Sequence, residues 1–529
     1  MGEQDHPFIQ VNHPMSQSRY YLTTPIYYVN DAPHIGHAYT SLACDALARF
    51  KRLDGYEVMF LTGTDEHGQK VAKSAANEGT EPQAFTDRVS QNFRDLGKAL
   101  KLSNNDFIRT TETRHRTACQ ALWNELLARG EIYLGKYAGW YAVRDEAFYG
   151  EDELKDGPNR TKIAPSGAPC EWVEEPSYFF KLSAWGDRLL KFYDEHPDFI
   201  LPLSRRNEVV SFVKSGMRDL SISRTAMSWG VAVPNEPKHV MYVWLDALTN
   251  YLTGVGYPDT GSESYKRFWP ADLHMVGKDI LRFHAVYWPA FLMAAGLPLP
   301  RRVFAHGWWT NEGQKISKSL GNVIDPYELI ATYGLDQTRY FLLREVPFGN
   351  DGDFSRSAMI RRINSELANG IGNLAQRSLS MIAKNCGAKV PPHGAFTDAD
   401  TALLGKARAL LAQTRAEFDA QAFHKALDQI WQVIAEADKY VDEQAPWGLK
   451  KTDVPRMETV LYVLAETLRH LAIIIQPFMP DSMNRLLDQL AVPMAERTFA
   501  ALTDAHALKS GTDLPVPEGV FPRIVETAA

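Results

Sequence analysis

Residues 20–52 read YYLTTPIYYVNDAPHIGHAYTSLACDALARFKR, and the rest of the chain is arranged around them. The aromatic and β-branched run Tyr20 to Val29 suits an extended strand. It breaks at Asn30, Asp31, Ala32 and Pro33, and resumes with Leu42, Ala43, Ala46, Leu47 and Phe50 at helical spacing on one face. The stretch therefore predicts a strand, a tight turn and a helix. His34 and His37 flank Ile35 and Gly36 at the turn. There a helix start leaves N–H groups unpaired and its dipole is positive, which suits a phosphate. Gly36 has no side chain to keep a flat ring from the backbone, and both imidazoles can donate to phosphate oxygens.

Whole-chain properties narrow the possibilities. A length of 529 residues with 45% hydrophobic content predicts two to four domains and at least one large core. The net charge of -7 excludes a protein that grips nucleic acid mainly by counterion release, so an RNA partner must be held by local patches and by shape. Arg301 with Arg302, the group Arg356, Arg361 and Arg362, and Lys450 with Lys451 are such patches. The four cysteines, Cys44, Cys119, Cys170 and Cys386, are scattered without a C-x-x-C pair, which encodes neither a disulfide scaffold nor a thiolate metal site. No apolar run reaches the length of a membrane span, and the polar leader 1–18 reads as a disordered tail, not a targeting signal.

Along the chain, Glu57 to Thr62 (EVMFLT) predicts a second buried parallel strand, ending in Gly63, Thr64, Asp65, Glu66, His67 and Gly68. Polar groups at the carboxyl end of a central strand lie where open α/β sheets bind ligands, so Asp65 is placed against a cationic group; it also suits the N-cap of a helix starting near Gln69. Helical patterns follow near 81–100 and 112–129. Residues 131–238, rich in Gly, Pro and aromatics with strand-like pieces KYAGWYAV and PSYFFKLS, read as a connective insertion whose closing segment, Met217 to Trp229, returns to the main sheet. Strand and helix then alternate again: His239–Val243 before Trp244, Leu245 and Asp246; Leu273–Val276 before Gly277, Lys278, Asp279 and the helical run Ile280–Ala295; and Val303–Ala305. This grammar predicts a parallel sheet wound on both sides. Beyond residue 361 only helical patterns remain, near 361–385, 398–418, 421–443, 456–476 and 480–490. The fold class is α/β, a nucleotide-binding domain of Rossmann type with an insertion, followed by an all-α bundle. The expected divisions are 1–18 leader, 19–130 and 239–360 the two halves of the catalytic domain, 131–238 insertion and 361–529 bundle.

The polar loop NEGQKISKSLGN carries Lys315, Ile316, Ser317, Lys318 and Ser319. Together with His34 to His37 it resembles the HIGH and KMSKS signatures of class I aminoacyl-tRNA synthetases, with Ile in place of Met. Along almost the whole chain, from Tyr21 to Arg523, TTPIYYVNDAPHIGHAY, FLTGTDEHG, SISR, VWLDAL, GKDI, FHAVYWPA, KISKS and DEQAPW resemble the methionyl-tRNA synthetase family. The resemblance implies a ligase that uses ATP and Mg²⁺ to form methionyl-adenylate and charges the 3′ end of tRNA(Met), initiator tRNA included. His34, His37, Lys315 and Lys318 are then catalytic, with Gly36 and Ser317 also on ATP. Ile26, Tyr28, Trp244, Tyr251, His284 and Trp288 line the methionine side-chain pocket and Asp65 takes the α-amino group. A thioether gains from contact with ring edges, so an aromatic box with one polar tip suits methionine. Phe283, Tyr287 and Phe291 on the same run read as core packing.

Asn373, Arg377 and Trp447 are implied to take up the CAU anticodon bases, by edge hydrogen bonds and stacking as splayed RNA bases are taken up elsewhere. Relatives for leucine, isoleucine or valine carry a far larger editing insertion, because one methylene is worth only about 1–3 kcal/mol; 131–238 is too short for one. The family often has zinc knuckles in this insertion, whereas this chain has Ala142 and Asp145, then Ala164 to Pro169, with Cys170 alone, so the insertion is expected to fold without zinc. A monomeric cytoplasmic enzyme without a membrane partner is expected. The contrasting expectation is a catalytically idle relative that only binds tRNA or serves as a scaffold.

Overall fold

The computed structural model describes residues 18–29, 32–145, 147–158, 161–316 and 320–525. The leader, Asn30 with Asp31, and Ser317 to Ser319 lie outside them. Six parallel strands form the main sheet, in the spatial order Asp106–Arg109, Glu57–Asp65, Arg19–Tyr28, Leu273–Gly277, Val303–His306, Ile200–Leu201. The order runs outward in one direction from Arg19–Tyr28 and in the other from Leu273–Gly277. Between these two neighbours lies the switch point at which open α/β sheets leave a crevice. The helix Ile35–Leu53 springs from that point, with Ala38, Leu42, Ala46 and Leu47 fully buried against the sheet. This is the strand, turn and helix expected of residues 20–52.

Two expectations are corrected. The strand placed at His239–Val243 is Glu236–Met241, and it belongs to a small antiparallel sheet with Ser223–Arg224 and Ala232–Val233 rather than to the parallel sheet. An apolar run of that length specifies a buried strand but not its neighbours. Met217 to Trp229 accordingly does not rejoin the main sheet: Leu220–Ser221 pairs with Phe179–Phe180. The chain touches the main sheet earlier, at Ile200–Leu201, a two-residue edge too short to leave a periodic signal. Within 131–238 the dominant feature is the long antiparallel pairing of Ile132–Ala142 with Pro169–Phe180, which contains both strand-like pieces read from the sequence.

The expected helices after residue 361 are present as Asn373–Asn385, Asp398–Asp419, Phe423–Gln444, Val454–Ile475 and Pro480–Gln489. Val454–Ile475 is apolar nearly all round and runs through the middle of the bundle, as such a helix must. The bundle shares one continuous core with the sheet's neighbour helix: Phe50 stacks on Phe418 at 3.9 Å, and Leu42, Leu47, Phe341, Phe423, Leu464 and Phe478 belong to the same buried cluster. At the seam, Arg339 is wholly buried and pairs with the equally buried Asp45 at 2.8 Å. Its Nε donates to Phe478 O (2.8 Å) and its Nη2 to Pro477 O (2.9 Å). One guanidinium thus ties the opening helix to the bundle.

Asp45→Ala should destabilise the protein by about 3–5 kcal/mol in denaturant titrations, since removing one partner strands a buried charge. Burial by itself favours the neutral acid of Asp45, but Arg339, Arg49 and Ser103 outweigh it and hold the carboxyl below its ordinary range. A depressed folded-state pKa stabilises fully above about 3.9 and fades as pH falls through the folded value, so the variant should lose less stability on acidification than the parent chain does.

Candidate active site

A cleft of about 1160 Å³ opens at the switch point, and His34, Gly36, His37, Asp65, Tyr251, His284 and Lys315 all border it. The two signature segments, distant along the chain, therefore meet. His34 is the N-cap of Ile35–Leu53. Gly36 N–H donates to His34 Nδ1 at 3.1 Å, and His34 N–H donates to His37 Nδ1 at 3.1 Å. Both Nδ1 atoms are acceptors, so in the neutral rings the proton of each resides on Nε2. Burial holds both imidazoles below their usual range, and His37 falls further because it also has the His34 ring beside it, 4.0 Å between centroids. A side chain at Gly36 would meet the His34 ring at 3.0 Å, so glycine makes room for the cap.

One part of the sequence reading changes here. The helix start does not offer bare N–H groups to a phosphate: Gly36 N–H is spent on His34, and Ile35 N–H donates to Ile324 O at 3.1 Å. The two Nε2–H groups are the donors left to face the cleft. The Ile35 bond has a second consequence, because Ile324 follows the lysine loop and this contact anchors the loop's exit to the helix start.

Asp65 ends its strand beside Tyr28, with its carbonyl accepting from Val29 N–H at 3.1 Å. It does not cap the next helix, whose N-cap is Gly68. Ile26, Tyr28, Trp244, Tyr251 and His284 border the cleft with it. His284 Nδ1 lies 2.9 Å from Ile280 O and must donate to it, so Nε2 accepts from the Tyr251 hydroxyl at 2.6 Å. Burial lowers the His284 pKa to about 4, and the pocket's polar tip is neutral. Trp288 does not border the cleft: it is fully buried one layer back, its ring 6.0 Å from that of Tyr251. His284 and Trp288 still share a face, both rings standing against Tyr251, at 5.6 and 6.0 Å, but Trp288 lies deeper along it, after the π-turn Phe283–Tyr287. Phe283, read as core, packs against the buried cluster behind the cleft and also stacks on Trp244 at 3.4 Å.

Lys315 lies exposed on the strand Gln314–Lys315 and borders the cleft; Ser317 and Lys318 lie outside the described residues. The sequence reading missed four neighbours: Arg144 and Asp145 from the insertion, Asp279, and Trp308, whose indole donates to Asp279 Oδ1 at 3.2 Å. Asp279 had a signal, since GKDI follows a strand just as GTDEHG does. Arg144 and Asp145 had none, because only the folded insertion brings them over the cleft.

Within the insertion, Ala142, Ala164, Ala168 and Cys170 form a small buried cluster backed by Trp140, Tyr149 and Leu154. Asp145 accepts from Tyr149 Oη at 2.9 Å and from the Ser166 hydroxyl. Elsewhere, among the described residues, one set of potential metal ligands converges, His115, Cys119 and Asp246. His115 Nε2 lies 2.8 Å from Asp246 Oδ1, the spacing of a hydrogen bond, and burial pushes the Cys119 thiol up, away from the thiolate a metal needs.

In the bundle, Arg377 stands 5.9 Å from the exposed ring of Trp447 and pairs with Asp442 at 2.9 Å, while Asn373 is exposed one turn earlier on the same helix. Lys450 and Lys451 end the short helix that carries Trp447. Arg302 and Arg362, by contrast, are tied down within the protein, Arg302 on Asp198 O and Asp419 O, Arg362 on Glu345 and Glu366.

Comparison with known proteins places this geometry. Residues 20–379 match the family model of tRNA synthetases class I (M), and residues 390–529 match that of the anticodon binding domain of methionyl tRNA ligase. The methionine–tRNA ligase of Mesorhizobium japonicum is 59% identical over 512 residues, 97% of this chain and 99% of that protein. That of Rickettsia bellii is 59% identical over 96% of this chain and 99% of its own length. The Mycobacterium tuberculosis methionyl-tRNA synthetase in complex with methionyl-adenylate superposes with a TM-score of 0.93 at 56% identity, covering 96% of this chain and all of that one; its free form gives 0.88 at 52%.

His34 carries two loads that substitution can separate. His34→Asn keeps an acceptor for Gly36 N–H but has no group at Nε2, so its unfolding free energy should stay within about 0.5 kcal/mol while the catalysed rate falls by about 10²–10³. His34→Ala should lose the cap as well, a further ~1 kcal/mol. Thermal unfolding and steady-state rates on the two variants read these out.

Proposed function

We propose a division of labour among named residues, from the premise that this chain belongs to the class I methionyl-tRNA synthetases and ligates methionine to tRNA. It activates L-methionine with ATP to methionyl-adenylate, releases pyrophosphate, and transfers the methionyl group to the 3′ end of tRNA(Met). The coverage of both chains by relatives of one activity supports this over an idle relative.

Asp65 takes the α-ammonium of methionine at the end of its strand. Ile26, Tyr28, Trp244 and Tyr251 receive the side chain, with His284 as the neutral tip and Trp288 as backing behind Tyr251. Held there, the carboxylate attacks the α-phosphorus in line, and the negative charge grows on the α-phosphoryl oxygens and the departing pyrophosphate. His34 and His37 donate from Nε2 to these oxygens, and Gly36 lets the nucleotide's flat base approach. Lys315 and Lys318, on flexible stems, bring positive charge over the phosphates, with Ser317 between them. Little covalent work falls to the protein; positioning and charge stabilisation are its contribution. Mg²⁺ in such sites is held largely by the nucleotide's own phosphates and supplies charge neutralisation. The cleft carboxylates Asp279 and Asp145 are the residues that would complete its shell, and an oxygen donor set of this kind fits a hard cation.

The insertion, residues 131–238, folds without zinc. The buried cluster of Ala142, Ala164, Ala168 and Cys170, with Asp145 as hydrogen-bond hub, supports this. The two catalytic halves, 19–130 and 239–360, carry adenylate formation, and the bundle, 361–529, reads the anticodon through Asn373, Arg377 and Trp447. Elongator and initiator tRNA(Met) share the CAU anticodon and are both substrates. The enzyme acts as a cytoplasmic monomer; none of its described helices is long and apolar enough to cross a membrane.

The single observation that carries the residue assignment is the convergence of His34, His37 and Lys315 on one cleft. Amino-acid-dependent exchange of pyrophosphate into ATP tests it. Methionine alone should support exchange, before and after chelator treatment with Mg²⁺ restored. Lys315→Ala or Lys318→Ala should lower kcat by about 10²–10³ with a far smaller change in methionine affinity; undiminished exchange would refute the role. Trp447→Ala should leave tRNA-free exchange intact and raise the KM for tRNA about 10- to 100-fold, the equivalent of ~1–3 kcal/mol for one stacked base.

A further inference from the structure

Behind the methionine pocket lies a buried polar network that the reaction as described does not use. The helix Val243–Thr253 presents Trp244, Leu248 and Tyr251 to the cleft and, on the opposite side, Asp246. Asp246 Oδ2 lies 2.6 Å from His67 Nδ1, and Asp246 Oδ1 lies 2.8 Å from His115 Nε2 on the helix Thr113–Ala128. All three side chains are at most 2% exposed. His67 is two residues beyond Asp65, and the residue between them is fastened independently: Glu66 accepts from Arg109 at 2.7 and 2.9 Å, from Thr111 at 2.6 Å and from Thr64 at 2.7 Å. On its other side, Trp229 packs edge-on against the His67 ring, and its indole donates to Glu66 O at 2.6 Å.

We propose that the Asp246–His67 pair is a positioning device that sets the distance between Asp65 and the Trp244–Tyr251 wall, and so matches the pocket to the length of methionine between its ammonium and its thioether. The inference rests on the assignment of Asp65 to the ammonium. Its logic is geometric. The head-group site sits at the end of one strand, the side-chain wall sits on a helix almost 180 residues later, and the His67 bond to Asp246 is a direct side-chain link from the turn after that strand to that helix. Burial favours a neutral Asp246, but the two imidazoles overcome this and hold it ionised. A charge-assisted bond in a dry site is short and stiff, and ligand sites need support of this stiffness to hold their geometry within a fraction of an ångström.

The test compares two amides of similar polarity in the full-length chain. Asn places an amide nitrogen where His67 has Nδ1; Gln places it where the ring has Nε2. His67→Gln should raise the KM for methionine at least tenfold in pyrophosphate exchange, with the KM for ATP within twofold and kcat within threefold. His67→Asn should bring the methionine KM back to within threefold of the parent value. Equal shifts in both KM values for Gln, no shift at all, or an Asn variant as poor as Gln despite an equal unfolding midpoint would each overturn the positioning role and leave a purely structural one. Asp65→Ala is the control: if it leaves the methionine KM unchanged, the ammonium assignment falls and this inference with it. If it raises that KM while His67→Gln does not, only the positioning role is lost.

Discussion

Everything in the cleft depends on how one helix begins. The first turn of Ile35–Leu53 has N–H groups that must be satisfied, and the protein satisfies them with the very side chains that border the cleft and with the stretch of chain that follows the lysine loop. The reciprocal cap between His34 and His37 fixes both rings in one tautomer and one orientation, and the Ile35 bond to Ile324 brings the second signature alongside. Capping the helix and fixing the imidazoles at the cleft are therefore one arrangement. A helix terminus free to bind an anion through its backbone would leave the imidazoles free to rotate; here the backbone is spent to aim them.

The amino-acid side of the cleft follows a different rule. Beyond Asp65, the wall of Trp244, Tyr251 and His284 is neutral: aromatic rings and a histidine held uncharged by burial, whose one free lone pair is occupied by the Tyr251 hydroxyl. Two further carboxylates, Glu66 and Asp246, are kept a layer behind, each wrapped by donors. A thioether meets polarizable edges and few competing hydrogen-bond donors, while polar rivals of similar length would have to leave water for groups already paired.

Much of this is legible in the amino-acid sequence, and the reasons differ by element. Residues 20–52 were clear because period-two and period-3.6 patterns abut across a proline turn. The bundle was clear because its helices are long, and length is what makes periodicity decisive. The two-residue edge at Ile200–Leu201 is too short for any pattern to register. The segment ending at Met241 was a strand in the right place with the wrong partners, since alternation encodes burial and not pairing. Trp288 is a related case: a spacing of four correctly places it on the face of His284, against Tyr251, but does not say which residue of that face reaches the cleft. Arg144 and Asp145 reach the cleft from an insertion whose placement no local signal carries.

The seam at Arg339 bears on how such a chain can change over time. Its guanidinium bonds at once to Asp45 on the helix that holds the signature histidines and to the carbonyls of Pro477 and Phe478, just after the bundle helix Val454–Ile475. Recombination that exchanged the bundle for a relative's would keep Asp45 and Arg339 together, but would have to present the carbonyls of 477–478 in the same place or leave guanidinium N–H groups without acceptors in a dry interior. The two parts are thus matched through the course of a backbone turn, which many sequences can supply, and not through the identity of the side chains there.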